Sequence, residues 1–285
     1  MTNLSITTLL MLRYFIYAII ILFVFDSCQK EDVKPKNQWN ITDSEYEELL
    51  LLSDTSNLND YKIFEERMKR IQDIFSSHND PRGTFTTLYR HITTAAVNST
   101  AAQNYNDNDF VDDFGVLFGK FYLINLKYHL LDQPTNYAWT IYYKECKEDA
   151  NKSKLVILGM LCHISKDILD TLVQMRITES QEEDWVLIST YLMFGIEGFE
   201  EEFLSEYHID LSDLINLYGF TEIIDGFFGE GATIYTILNE LRYVAYKDAL
   251  KYLAGLEQQM EYKTHQRFME HVNLLEFIDD LNWLP

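Results

Sequence analysis

The sequence predicts an all-α protein, a multi-helical bundle of about eight to nine helices that follows a cleaved N-terminal signal. Three observations carry that expectation. Only 4 prolines and 11 glycines interrupt 285 residues. Apolar residues recur at three- and four-residue steps almost throughout, which puts them on one face of a helix of 3.6 residues per turn. No convincing stretch alternates apolar and polar residues as a half-buried strand would. With 47% apolar residues, including 19 Tyr and 18 Phe, the chain has the material for a core and is not disordered.

The N-terminus reads as an export signal. Arg13 is followed by Tyr14 to Phe25, an uncharged and mostly apolar run of 12 residues, and then by Asp26, Ser27 and Cys28. A helical membrane span needs about 20 apolar residues, because each adds only ~1.5 Å of rise. The run is too short for that and suits a signal-peptide core. Phe25-Asp26-Ser27-Cys28 resembles a bacterial lipobox, with a small residue before the cysteine and a large apolar one three positions ahead of it. This makes Cys28 the expected lipidation site. Each methylene buried in lipid adds ~0.8 kcal/mol, so several acyl chains anchor stably. The alternative is an uncleaved or non-lipidated signal with an incidental cysteine. Gln29-Lys30-Glu31-Asp32 resembles the charged tag of surface-exposed lipoproteins of the Bacteroidetes, and the polar stretch on to Trp39, with Pro35, suits a tether. The expected division is therefore 1–27 signal, 28–40 lipidated cysteine and tether, and 41–285 a single helical domain. The expected location is the outer membrane or cell surface, with the periplasmic side of the inner membrane as the alternative.

The helices follow in order. Thr42-Asp43-Ser44-Glu45 has capping-box spacing ahead of Tyr46 and Leu49 to Leu52. Asp60 is placed to cap a helix carrying Tyr61, Phe64, Met68, Ile71 and Phe75. Asp80-Pro81 predicts a helix start with proline at its first position, followed by Phe85, Leu88, Ile92 and Ala95. After the polar break at Asn104 to Asn108, the residues Phe110, Phe114, Leu117, Phe121, Ile124 and Tyr128 mark a long helix that ends at Asp132-Gln133-Pro134. Trp139 and Tyr142 lie on a shorter one. Glu145 to Lys154 reads as a charged connection. Leu155 to Met175 is apolar on nearly all sides, as a central helix would be. Further helices are expected near Glu182–Phe203, Leu211–Tyr218, Thr233–Leu256 and Lys263–Leu281.

Charge and motifs exclude several classes of function. From Cys28 onward, 22 Lys and Arg face 44 Asp and Glu, a net charge of −22. Such a surface repels nucleic acid and anionic lipid headgroups. No phosphate-binding glycine loop, His-Glu-x-x-His pair, nucleophile elbow or paired-cysteine metal site is present. Gly226 to Gly231 is a glycine-punctuated turn without the lysine a nucleotide site requires. The acidic runs Glu145 to Asp149, Glu179 to Asp184 and Glu200 to Glu202 read as solvated faces. If Cys28 is lipidated, Cys146 and Cys162 remain; they could pair, though Cys162 lies in an apolar run that suits a buried thiol.

The chemistry-bearing segment is Leu158 to Ile168. His163 and Asp167, four apart, project from one helical face, and Asp170 falls there too. An imidazole and a carboxylate at that spacing could ligate a divalent metal or act as base and orienter. A metal would need further ligands from elsewhere. A buried histidine hydrogen-bonded to Asp167 explains the same residues without any chemistry. Among the other histidines, His91 could face the interior or solvent, His129 lies near a helix end where a cation meets the dipole favourably, and His265 and His271 point to different faces.

Gly159 to Leu172 is similar to the signature of the bacterial helical domain-of-unknown-function family 5995, a Leu-Gly-…-His-Ile-Asn-x-Asp-Leu stretch on a central helix. Asp80-Pro81-Arg82-Gly83-Thr84-Phe85 with Tyr89 and Thr93 resembles that family's Asp-x-Arg-…-Phe-…-Tyr-…-Thr segment. Leu241-Arg242 with Ala245, Tyr246 and Ala249 resembles its Arg-x-x-Ala-Trp segment. The likeness runs from about Ile71 to Leu253. The chain departs from it where Ser165 replaces asparagine and where Lys166 and Asp170 take apolar or aromatic positions. The resemblance implies an all-helical fold and no established activity. It picks out Asp80, Arg82, Tyr89, His163, Asp167 and Arg242 as one cluster, either a cleft or a buried network in which Arg82 or Arg242 pairs with Asp80 or Asp167.

Overall fold

The computed structural model describes residues 40–148, 150–192, 199–210 and 232–280. The signal, Cys28, the expected helix at 211–218 and the glycine turn at 226–231 lie outside the described residues.

The first three helices are fixed by their own ends. α1 (Asp43–Leu52) begins at the expected capping box: the Thr42 amide donates to Glu45 Oε2 (3.0 Å) and the Glu45 amide to Thr42 Oγ1 (3.3 Å). α2 (Tyr61–Ser77) is capped by Asp60, which accepts from the amides of Lys62 (2.8 Å) and Ile63 (3.1 Å). Its buried side is Phe64, Met68, Ile71 and Phe75, as the spacing predicts, with Gln72 and Ile74 added. α3 (Gly83–Ala101) starts two residues later than expected. Asp80 turns its carboxylate back onto the Arg82 amide (2.9 Å), so Pro81 sits in the turn before the helix and not at its first position.

α4 (Asn108–Leu130), capped by Asp107, is rotated from the expected face. Phe110 and Phe114 are buried, but the core side continues through Tyr122, Leu123 and Leu126, and Tyr128 is exposed. Apolar residues all round this helix leave two stripes of equal periodicity, and packing chooses between them. α5 (Tyr137–Lys147) is capped by Asn136, which accepts from the Ala138 and Trp139 amides, both at 3.1 Å.

The central rod begins as α6 (Lys152–Cys162), passes through one π-helical turn (His163–Asp167) and continues as α7 (Ile168–Met175). It crosses α3 so closely that a Cβ on Gly159 would lie 2.5 Å from Phe85. A 3₁₀ turn then leads into α8 (Glu182–Leu192), followed by α9 (Phe199–Tyr207), α10 (Ala232–Lys251), a second π turn (Tyr252–Leu256) and α11 (Glu257–Asp280). The helix expected over 182–203 thus falls on α8 and α9, and α11 begins six residues before its expected start.

Two apolar clusters stack along the rod. The larger joins α1, α2, α3, α5, α6, α9, α11 and the second half of α4. The smaller gathers the first half of α4, α7, α8 and α10 around Trp185 and Tyr246. Phe118 packs against both. Among the described residues there is no strand, and no helix is long and apolar enough to cross a membrane.

The acidic runs are not simply solvated. Glu145 is buried against Lys154 of α6 (2.8 Å), which also meets Asp279 of α11 (3.4 Å). Asp184 is buried and accepts the amides of Asn106 (2.8 Å) and Asp107 (3.0 Å). Glu202 is held by Arg90, His91 and Gln72. In each case a backbone amide or a cation from outside the run supplies a partner that a one-dimensional run does not show. Cys146 and Cys162 are buried free thiols.

Candidate functional site

His163 is placed by the π turn. A π turn carries an extra residue relative to the α ladder, and such turns cluster at functional sites. Here His163 Nδ1 still meets Asp167 Oδ2 at 2.8 Å. The same oxygen accepts the indole N–H of Trp139 (2.8 Å), and Oδ1 accepts from Asn136 Nδ2 (3.3 Å). Asn136 is itself positioned, because its amide donates to Asn125 Oδ1 (3.1 Å) while its own Oδ1 caps α5. One asparagine therefore ties the start of α5 to α4 and to the central rod.

Aromatic rings close around the imidazole. Phe118 stacks on it at 3.6 Å and 17°, and Tyr89 meets it edge-on at 4.3 Å and 65°. Phe85, Trp139 and Tyr122 stand at 5.6, 6.2 and 6.4 Å. His163 is 4% exposed and Asp167 0%.

Burial opposes charge on both members of the pair. It pushes the Asp167 carboxyl up to about 8, against the indole and amide donors and the Lys166 ammonium, which pull it down. It drives the His163 imidazole well below its usual value. The pair therefore holds one titratable proton at neutral pH. In that state the carboxylic O–H donates to Nδ1, and the ring carries its own hydrogen on Nε2. His163 Nε2 and the Tyr89 hydroxyl are buried with no hydrogen-bond partner among the described residues. Burial also raises the Tyr89 phenol well above its usual value. Chemically the arrangement can hold and orient a proton.

The other candidates divide. Asp80 and Arg82 pair with each other at 2.5 Å, and the Arg82 guanidinium lies 4.7 Å over the Phe75 ring. Arg242 lies 4.7 Å over Trp185 in the smaller cluster. It pairs with neither Asp80, which Arg82 occupies, nor Asp167, which the α5 donors and His163 occupy. Asp170 turns away from His163 to Lys166 (2.6 Å), because the wider π turn spoils the seven-residue repeat. His129 lies in the last turn of α4, as expected, but it stacks on Tyr143 at 3.9 Å, and burial lowers it to about 3, which opposes a cationic role there. His91 faces Arg90 and Glu202. His265 packs against Tyr137, while His271 bonds the Arg267 carbonyl (2.6 Å). Among the described residues, no group of three or more His, Cys, Asp or Glu converges as a metal-ligand set.

Trp139, Asn136 and Phe118 are the members that sequence reasoning missed. Asn136, just after Pro134 and Thr135, carried a readable cap signal, but its reach to Asp167 belongs to the tertiary fold.

Residues 64–275 match a family described as a family of unknown function (DUF5995). The chain belongs to this family. All three segments that pointed to DUF5995 lie inside the matched region: the turn at Asp80, the central His163–Asp167 turn and the Arg242 segment. No curated protein and no solved structure matches the chain.

Proposed function

We propose that this protein is a membrane-anchored lipoprotein whose helical domain binds or supports a partner without catalysis, and that the His163–Asp167 pair is a structural network. One observation carries the second half of this reading. The pair is sealed by five aromatic rings, and the hydrogen bonds of the Asp167 carboxyl run to the start of α5 and to the π turn. Buried polar networks that are nearly satisfied fix which helix faces which. The anchor rests on the lipobox-like stretch at Cys28 and on the tether after it. The place proposed for the domain is the outer membrane or cell surface, with lipid as its membrane contact and no nucleic acid as partner.

Two experiments test the two halves. In Cys28→Ser, acyl labelling and membrane fractionation should both be lost; unchanged labelling would leave only export. For the network, Asp167→Asn should lower the unfolding midpoint. A variant that kept full stability but lost turnover of any substrate would overturn the structural role.

A metal-assisted hydrolase using His163 and Asp167 is the second reading. It is favoured by the buried Nε2 and the Tyr89 hydroxyl, both without described partners. Elemental analysis of the purified protein tests it. Stoichiometric metal, with stability lost on chelation, would support it; metal-free protein indifferent to chelator would count against it.

A further inference from the structure

The corner between α10 and α11 is held differently from the rest of α11. Residues 253–259 are all exposed, and Gly255 adopts φ 94° with open space around its α-carbon. From there to Arg267 only Met260 and Thr264 are buried. Beyond Arg267 the helix is anchored by Phe268, Val272 and Leu275 in the main core and by Asp279 on Lys154. The hinge-side half relies more on charge, beside the edge-on contact of His265 with the Tyr137 ring (4.6 Å). Glu261 takes Lys166 of the π turn at 3.1 Å, and Arg267 takes Asp248 of α10. Beneath it lies a cleft of about 10 Å³, room for one water, lined by Ile164, Ser165, Leu241, Ala245, Thr264 and Arg267.

We propose that residues 252–267 form a flap that lifts by bending at Gly255 and at the start of the Phe268 anchor, and uncovers Ile164, Ser165 and Lys166 on the π turn. Segments held by few buried apolar contacts open at lower free energy than the core they cover. Glycine in the left-handed region lets the corner turn without a Cβ penalty. Lifting the flap widens the cleft around Ser165 and adds the Lys166 ammonium to its mouth. It opens a route to the turn that carries His163. The flap is independent of what the His163–Asp167 pair does.

Hydrogen–deuterium exchange on the full chain tests it. In the unaltered protein, amides of 252–267 should exchange faster than those of 268–280. Glu261→Gln should accelerate 252–267 by about tenfold, the size expected for loss of one charged hydrogen bond, while α3 and 268–280 stay unchanged. Asp248→Asn cuts the other tie and should act in the same way, and so should about 0.5 M NaCl. Equal exchange in the two halves of α11 would overturn the flap. So would acceleration spread over the whole domain, or no change in either variant.

Discussion

At the scale of single residues, the state of the Asp167 proton makes the sharpest prediction. Between roughly pH 4 and 6.5 the unfolded chain carries one proton on these two side chains, on the histidine. The folded chain also carries one, on the aspartic acid, so the pair contributes no slope there. Above about 6.5 the unfolded chain loses its proton, while the folded chain keeps its own until about 8. The folded state then binds more protons than the unfolded one, and stability falls as pH rises through that window, by up to about 1.4 kcal/mol per pH unit. Asp167→Asn removes this limb, because its remaining partner His163 is neutral in both states above ~6.5. Urea denaturation of both proteins at pH 6, 7 and 8 checks it, and the difference between them cancels every other titrating group. Parallel profiles would show that Asp167 is already ionised in the folded protein. His163 and Asp167 were legible in the sequence because their spacing is local. The proton they hold was not, since it depends on rings contributed by α3, α4 and α5.

At the scale of helices, the ends were readable and the partnerships were not. The caps at Thr42 and Asp60 follow from local donors and acceptors, and both form as expected. The α4 face was misplaced because a helix with apolar residues on several sides does not declare which side it buries. Asn136 shows the limit best: it caps α5 as any asparagine might, and it also donates to Asp167 (3.3 Å). Asn136→Ala should therefore cost more than Thr42→Ala, which removes a cap on an exposed end. A cap alone is worth ~1 kcal/mol, and an unpaired buried acceptor adds ~1–3 kcal/mol. Chemical denaturation of the two variants gives the ranking, and equal losses would mean that the Asp167 bond contributes nothing. Lys154 makes a second prediction at this scale. It draws α5 and α11 onto α6 through Glu145 and Asp279. Lys154→Met strands a buried carboxylate and should destabilise by ~3–5 kcal/mol, whereas adding Glu145→Leu should restore much of the loss. Failure of the double variant to recover would mean that the ion pair specifies packing that apolar side chains do not reproduce.

At the scale of the whole molecule, the fold class was visible because helical periodicity is repeated over most of the chain, so single misreadings averaged out. The division into two cores along one rod was not visible, since Phe110 and Tyr122 are both aromatic positions of one helix and only contact separates them. The proposed cluster of six residues divided for the same reason. Motifs distant in sequence were grouped by resemblance, yet Arg242 belongs to the smaller core with Trp185, and Asp80 pairs with Arg82. Net charge is the property that belongs to no single element. At −22 the chain repels itself, and compaction brings those charges together. Salt acts in opposite directions on this repulsion and on the exposed ion pairs such as Arg70–Glu48 and Lys247–Glu182. Exposed pairs are each worth about 0–1 kcal/mol. The repulsion sums over the whole excess of acidic groups, so it should dominate. Thermal unfolding at pH 7 should therefore occur several degrees higher at ~0.3 M NaCl than at ~0.01 M, where the Debye length grows from about 6 Å to about 30 Å. A midpoint that falls with salt would mean that the local ion pairs outweigh the global excess. Carried out alongside the exchange measurement on residues 252–267, the same titration separates two effects of opposite sign: salt should stiffen the domain as a whole while loosening the corner held by Glu261 and Arg267.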